Sequence, residues 1–283
     1  MKEDFLKERG IKTGISYGSA IQEVEHLKEV SADEFAFIEL PLGTDGEYRL
    51  VREYAEAENI ELSLHIPSME MLAEFPFIVD VQNSEQVNTL LDFIRKKVKS
   101  RLPLLYIVVH MPLITKSRDP EKVNYLNRLY IQGVSGIAAD SKVPIFVENT
   151  AVHPFFYRAE HYSDLLDFID GICLDVGHAH TIEYILLRNK PLEDHLREMT
   201  ELLQKEICCM HLYNTISYPD GRYSPRQHYP NVPAFDNVEG FIKQDVLEKT
   251  VRELPSLKFI VLEPHRQEVK NYRTFGYIPG RER

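Results

Sequence analysis

Eight short apolar runs, separated by longer stretches of helical spacing, constrain this chain more than any other feature. They are GISYG (14–18), FAFIELP (35–41), ELSLHIP (61–67), LLYIVVHMP (104–112), PIFVEN (144–149), ICLDVGH (172–178), ICCMHLYN (207–214) and FIVLEP (259–264). Apolar residues fill these runs almost without interruption, which is the pattern of strands covered on both faces. Strand, helix, strand repeated eight times predicts a closed parallel sheet with right-handed crossovers and an outer layer of helices, a (β/α)8 barrel. The length agrees: 283 residues over eight units gives about 35 per unit, the usual size of such a repeat. An open doubly wound sheet competes, but it ordinarily carries a glycine-rich G-x-G-x-x-G turn after the first strand, and GISYGSA (14–20) lacks it. No low-complexity tract or Pro/Gly/Ser-rich linker divides the chain, so residues 1–283 are expected to form a single domain.

The intervening segments supply the helices. Between the third and fourth runs, Val87, Leu90, Leu91, Ile94 and Val98 make one apolar stripe, preceded by Asn83 and Gln86 as a capping pair. The next segment opens on Asp119 and Pro120, an N-cap followed by the helix position that tolerates proline, and continues through Val123, Leu126, Leu129, Val134 and Ile137. Residues 181–205 and 236–254 read as helices of similar kind, and 20–30, 47–58 and 161–169 as shorter ones.

Composition narrows the partners. With 44 acidic against 33 basic side chains the formal charge is −11, which argues against attachment to nucleic-acid phosphates or anionic membranes through excess Lys and Arg. A locally basic stretch at 264–283 keeps a nucleic-acid partner open. The charged start MKEDFLKERGIKTG has no secretory-signal character, and the longest apolar run falls far short of the ~20 residues that span a bilayer. The chain is therefore expected to be soluble and cytoplasmic. Cys173, Cys208 and Cys209 lie in apolar runs without the spacing of a zinc ribbon or disulfide framework, and read as reduced core residues.

From the second run onward, each strand ends in a residue that can bind a metal or move a proton: Glu39, His65, His110, Glu148, Asp175 with His178, His211 and Glu263. In a parallel barrel these ends share one face, where the βα loops build the active site. Any one of them has a structural reading, such as Asp175 capping the following turn or Glu39 pairing with Lys or Arg. Together they are harder to dismiss, because several ionisable groups at the ends of apolar strands need a partner, and a divalent cation supplies one. His nitrogen mixed with carboxylate oxygen suits Zn²⁺, Mn²⁺, Fe²⁺ or Co²⁺ better than Ca²⁺. Glu148, Asp175, His211 and Glu263 can enclose one ion, and a bridging Glu148 with His65 and His110 can hold a second.

The set ELSLHIP, YIVVHMP, IFVENT, CLDVGHAH, CCMHLYN and IVLEP resembles the xylose isomerase-like TIM-barrel superfamily, from the first strand to Glu263. In its sugar isomerase and epimerase branch, the resemblance implies one catalytic metal (Mn, Zn, Co or Mg) on Glu148, Asp175, His211 and Glu263. It further implies that Glu148 and Glu263 face each other across a carbohydrate substrate as the proton-transfer pair, with His178 and Arg222 contacting substrate oxygens. In the endonuclease IV branch, the resemblance implies His65, His110 and Glu148 around one ion and Glu148, Asp175, His211 and Glu263 around another, for phosphodiester cleavage at abasic sites in DNA. There a third ion, assisted by His178, draws on an Asp-x-His motif after the seventh strand. In SPRQHYPN (224–231) His228 matches the histidine but Arg226 stands in place of the aspartate.

Three readings follow: a sugar isomerase or epimerase, favoured by the charge and the missing aspartate; an endonuclease IV-like phosphodiesterase, favoured by His65 and His110; and a non-catalytic barrel with a relic site. No ligand of the Glu148, Asp175, His211 and Glu263 set is missing, which disfavours the last. The loop 66–83, with Met69, Met71, Phe75 and Phe77, reads as a lid, a homo-oligomer contact or a rim helix. The loop 214–234, with Arg222 and His228, is long enough to expect a role in substrate choice.

Overall fold

A computed structural model describes residues 3–17, 27–28, 30–42, 45–66, 81–112, 119–149, 159–176, 178–179, 192–212 and 244–263. Eight strands close into a barrel in sequence order: β1 (Lys12–Ser16), β2 (Phe37–Pro41), β3 (Glu61–Ile66), β4 (Ile107–Val109), β5 (Ile145–Glu148), β6 (Gly171–Asp175), β7 (Ile207–Leu212) and β8 (Phe259–Leu262). Every neighbouring pair is parallel, including β8 with β1. The expected eight-stranded (β/α)8 TIM barrel is the observed architecture.

Around it run α1 (Glu3–Glu8), α2 (Asp45–Glu58), α3 (Ser84–Arg101), α4 (Pro120–Ser141), α5 (Ala159–Ser163), α6 (Leu192–Leu203) and α7 (Gln244–Glu253). The stripe predicted for α3 is buried throughout, and covering a side chain such as Leu90 or Ile94 contributes roughly 1.5–3 kcal/mol relative to leaving it exposed. Asn83 Oδ1 accepts the Gln86 N–H at 3.0 Å, while Gln86 Oε1 accepts the N–H of Gln82 at 2.7 Å. The capping pair is thus real, with the returning bond displaced one residue outward. Asp119 caps α4, accepting from the N–H groups of Glu121 and Lys122. Helices α3 and α4 meet at Gly133, where a Cβ would lie less than 3.0 Å from Leu91 Cδ1.

One expectation changes, and one element is added to those expected. The helix expected over 161–169 is α5 followed by a separate 3₁₀ turn, Leu166–Phe168, because Leu165 and Phe168 bond back three residues, to Tyr162 and Leu165, instead of four. The charged N-terminus, expected only to lack a signal sequence, forms α1 and packs Leu6 into the core. The helix expected over 20–30 lies almost entirely outside the described residues. Among the described residues no helix is long and apolar enough to cross a membrane.

The core has two compartments. A large one fills the space between sheet and helices, and a smaller one fills the barrel interior with Phe37, Tyr106, Val108, Phe146, Cys173, Cys208, Cys209, Phe259 and Val261. The phase of this inner set positions the site. Side chains two apart on a strand share a face, so Glu39, His110, Glu148, Asp175, His211 and Glu263 each point inward one step above Phe37, Val108, Phe146, Cys173, Cys209 and Val261. Apolar outward positions conceal this alternation in the sequence.

Candidate active site

The inward ring at the C-terminal ends of the strands gathers four carboxylates and four imidazoles. Glu39, Glu148 and His211 are sealed from solvent and Asp175 and Glu263 nearly so, whereas the side chains of His65, His110 and His178 retain 18, 22 and 20 % of their exposure. These three histidines are the members of the cluster with the most remaining exposure.

Glu148 is the hub. Its Oε1 lies 3.0 Å from His110 Nε2 and 2.9 Å from His178 Nδ1, and its Oε2 lies 3.1 Å from both His65 Nε2 and His211 Nδ1. Glu263 Oε1 stands 3.6 Å from the same His211 nitrogen and 3.8 Å from His65 Nδ1. Asp175 Oδ1 accepts the His178 N–H at 2.6 Å, the capping role open to it from the sequence, and its Oδ2 lies 3.4 Å from His178 Nδ1. His65 and His110 meet at 2.8 Å between their Nε2 atoms.

Ligand-type atoms fall into overlapping groups within 4.8 Å of one another: Glu148, Asp175 and His211; His65, His110 and Glu148; and Glu39, His65, His211 and Glu263. Three of the four residues expected around one ion are therefore together, and Glu263 falls in a separate group that shares His211, its Oε1 facing the same ring nitrogen as Glu148 Oε2. The second expected group, His65, His110 and Glu148, is assembled as a unit. Both oxygens of Glu148 and Nδ1 of His211 are buried without an aligned hydrogen bond. Buried atoms in that state are costly, and a divalent cation satisfies all three, so the donor set fits one.

The charge pattern follows from the packing. Burial opposes ionisation of Glu148, but His110, His211 and His65 around it hold its carboxyl well below the usual carboxylate range. Burial pushes Glu263 up, with Glu39 and Glu148 adding to the effect. Burial, with Glu148 and Glu263 adding to it, lifts Asp175 to about 7. Burial would lower His178, yet Asp175 and Glu148 raise it to about 9. Burial would lower His65 and His211 too, but Glu148 and Glu39 raise His65, and Cys173, Glu263, Glu39 and Glu148 raise His211, whereas burial wins at His110 and lowers it.

Two residues outside the expected ligand set take part. Glu39 is partnered by His65, His211 and Tyr106 rather than by the Lys or Arg open to it from the sequence. Burial would raise its pKa, but His211 and His65 bring it down to about 2. Asn149 accepts the backbone N–H of Asp175 and donates to its carbonyl. The three cysteines are free and buried, as expected, and Cys173 and Cys209 lie beneath His211. Of the expected substrate contacts, His178 lies in the cluster, while Arg222 and His228 fall outside the described residues, as do the loop 214–234 and residues 67–80 of the loop 66–83.

The site therefore lies at the C-terminal ends of the strands of an eight-stranded parallel (β/α)8 barrel, as a His–carboxylate cluster. No family model matches the sequence, and no curated protein matches it. Among solved structures, the chain is similar to a D-tagatose 3-epimerase-like protein, with TM-score 0.67 and 16% identity, covering 93% of this chain and 95% of that one. It is also similar to the IolI protein with a bound zinc atom, with TM-score 0.65 and 15% identity, covering 94% and 95%. A third similar structure is 3-keto-D-glucoside 4-epimerase from E. coli, with TM-score 0.62 and 12% identity, covering 94% and 97%.

Proposed function

We propose that this chain is a divalent-metal-dependent enzyme that isomerises or epimerises a sugar or sugar phosphate, with Glu148 and Glu263 as its proton-transfer pair. The observation that carries this reading is that two buried carboxylates against one histidine nitrogen are driven in opposite directions, Glu148 toward the ionised form and Glu263 toward the protonated form. Separated proton affinities in one site define a base and an acid. Glu148 takes the proton from the carbon beside the carbonyl, and Glu263 delivers one to the opposite side of that carbon or to its neighbour. Asp175 and His211 would hold the cation with the two glutamates, and His178 donates to a substrate oxygen. The cation supplies Lewis-acid polarisation of the carbonyl and adjacent hydroxyl. The similarity to solved sugar epimerases and to a zinc-bound barrel supports this chemistry.

One observation favours a second reading, metal-dependent phosphodiester cleavage of abasic DNA: His65, His110 and Glu148 form a group of their own that proton transfer on a sugar does not need. The experiment incubates metal-loaded protein in deuterated water with a panel of ketoses and sugar phosphates, and separately with an abasic-site duplex. Deuterium entering a sugar at the carbon beside its carbonyl supports the first reading. Duplex cleavage that disappears in His110→Ala protein, without exchange into any sugar, replaces it with the second.

A further inference from the structure

Beneath the candidate ligands, Glu39 touches two imidazoles that both reach on to Glu148. His65 lies with Nδ1 3.3 Å from Glu39 Oε1 and Nε2 3.1 Å from Glu148 Oε2. His211 lies the other way round, with Nε2 3.1 Å from Glu39 Oε1 and 3.3 Å from Oε2, and Nδ1 3.1 Å from the same Glu148 Oε2. Each ring therefore spans the gap between the two carboxylates, and the two rings use opposite nitrogens to do so.

We infer that Glu39 is a positioning residue that fixes the orientation and tautomer of both His65 and His211, turning His65 Nε2 and His211 Nδ1 toward the cation site around Glu148. A carboxylate below a ring accepts its N–H and leaves the opposite nitrogen's lone pair for a metal. Glu39 does this for two rings at once: His211 Nε2 bonds to its Oε2, and His65 Nδ1 lies within ion-pair distance of its Oε1, a buried oxygen without an aligned hydrogen bond of its own, which places the ring protons on His65 Nδ1 and His211 Nε2.

Glu39 is itself held. The Tyr106 hydroxyl donates to Glu39 Oε2 at 2.8 Å. The Tyr106 ring stands edge-on to Phe37 at 5.6 Å and packs 4.7 Å from Phe259 between centroids, within the closed interior of the barrel. Glu39 is fully buried, so water does not substitute for it. The chain of support runs from the aromatic interior through the phenol and the carboxylate to the two imidazoles.

The inference rests on the proposed cation site, and the test separates the two. Zinc affinity and stoichiometry are measured by chelator competition for wild type, Glu39→Gln, Glu39→Ala and Tyr106→Phe. In parallel, the side-chain N–H protons of His65 and His211 are assigned by long-range ¹H–¹⁵N correlation in both metal-free and zinc-loaded protein. Glu39→Ala is expected to bind zinc with unchanged stoichiometry and about 10- to 100-fold lower affinity, the range for losing such a partner. Glu39→Gln, which keeps one acceptor oxygen, is expected to fall in between. In wild type the Glu39-facing protons, on His65 Nδ1 and His211 Nε2, should be shifted downfield and slow to exchange, and both should lose that protection in Glu39→Ala. Affinity within twofold of wild type in Glu39→Ala overturns the inference, and so does loss of a whole equivalent of zinc, which would make Glu39 a ligand. Should Glu39→Ala fail to fold, Tyr106→Phe decides, because it frees the carboxylate without removing it: both protons should shift and affinity should drop, and no change in either overturns the inference. Wild-type protein that shows the protected protons but takes up no zinc would remove the cation site and leave the orienting contact standing.

Discussion

Asn149 holds both backbone polar groups of Asp175, donating from Nδ2 to its carbonyl at 2.9 Å and accepting its N–H on Oδ1 at 2.6 Å. Strand β5 ends at Glu148, so this side chain continues the β5–β6 pairing by one step after the backbone ladder stops. It fixes Asp175 relative to Glu148, the residue before it. Asn149→Ala should leave two buried backbone groups unmatched and cost about 1–3 kcal/mol for each. Urea unfolding checks this. An unchanged midpoint would mean that β6 is held at this end by other contacts, and zinc affinity should fall alongside stability because Asp175 loses its fixed place.

The floor of the barrel tolerates no added atom at Gly14. A Cβ there would come within 3.0 Å of the Phe37 ring, which is locked edge-on between Tyr106 and Phe259. Gly14→Ala should destabilise the protein by about 1–3 kcal/mol, the usual cost of overfilling a packed interior. Because Phe37 is two residues below Glu39 on β2, zinc affinity should weaken as well. Thermal unfolding with a wild-type melting temperature would show that the ring moves aside freely.

The barrel was legible because each strand announces itself as an apolar run and each strand end carries a chemically distinct residue. His65, His110, Glu148, Asp175, His211 and Glu263 could be picked out for that reason, and the structure brings them together. Glu39 stood in the same series but was left out of the ligand set. Its position two residues after Phe37, in the phase shared by the other inward residues, was the available signal. Asn149 and Tyr106 could not be found this way. Asn149 acts across to β6, and Tyr106 reads as one more apolar strand residue until the closed barrel sets it under Glu39. Cross-strand partners depend on register and stagger, which single-strand patterns do not encode.

Glu148→Gln and Glu263→Gln keep the size of each side chain while removing its proton chemistry. Each should lower turnover by about 100-fold or more, as removal of a general acid or base does. The two should differ in binding. Glu148→Gln takes a carboxylate from the hub of four imidazole contacts and should weaken metal affinity more than Glu263→Gln. Solvent deuterium exchange into substrate and zinc titration measure the two effects separately, and near-wild-type exchange in both variants would end the proton-transfer assignment.

Protons and metal compete for the same cluster, and this gives opposite pH trends for the stripped and loaded protein. His178 is raised to about 9, and His65 and His211 are also held above the 6.5 of a free imidazole. Asp175, raised from 3.8 to about 7, adds to this at the lower end. Between about pH 6.5 and 9 the folded metal-free chain thus binds more protons than the unfolded one, and its stability falls as pH rises. Of the lowered groups, Glu39 and Glu148 act below 4.5 and His110 below 6.5, outside that window, while Cys209, lowered from 9.0, opposes the trend within it as one group against three raised imidazoles. Coordination requires neutral imidazoles, so cation binding releases protons and strengthens as pH rises. Calorimetric scans from about pH 6.5 to 9 should show the melting temperature of stripped protein falling while the added stabilisation by saturating zinc grows. A gap between the two curves that stays constant with pH would mean that zinc binds somewhere other than these histidines.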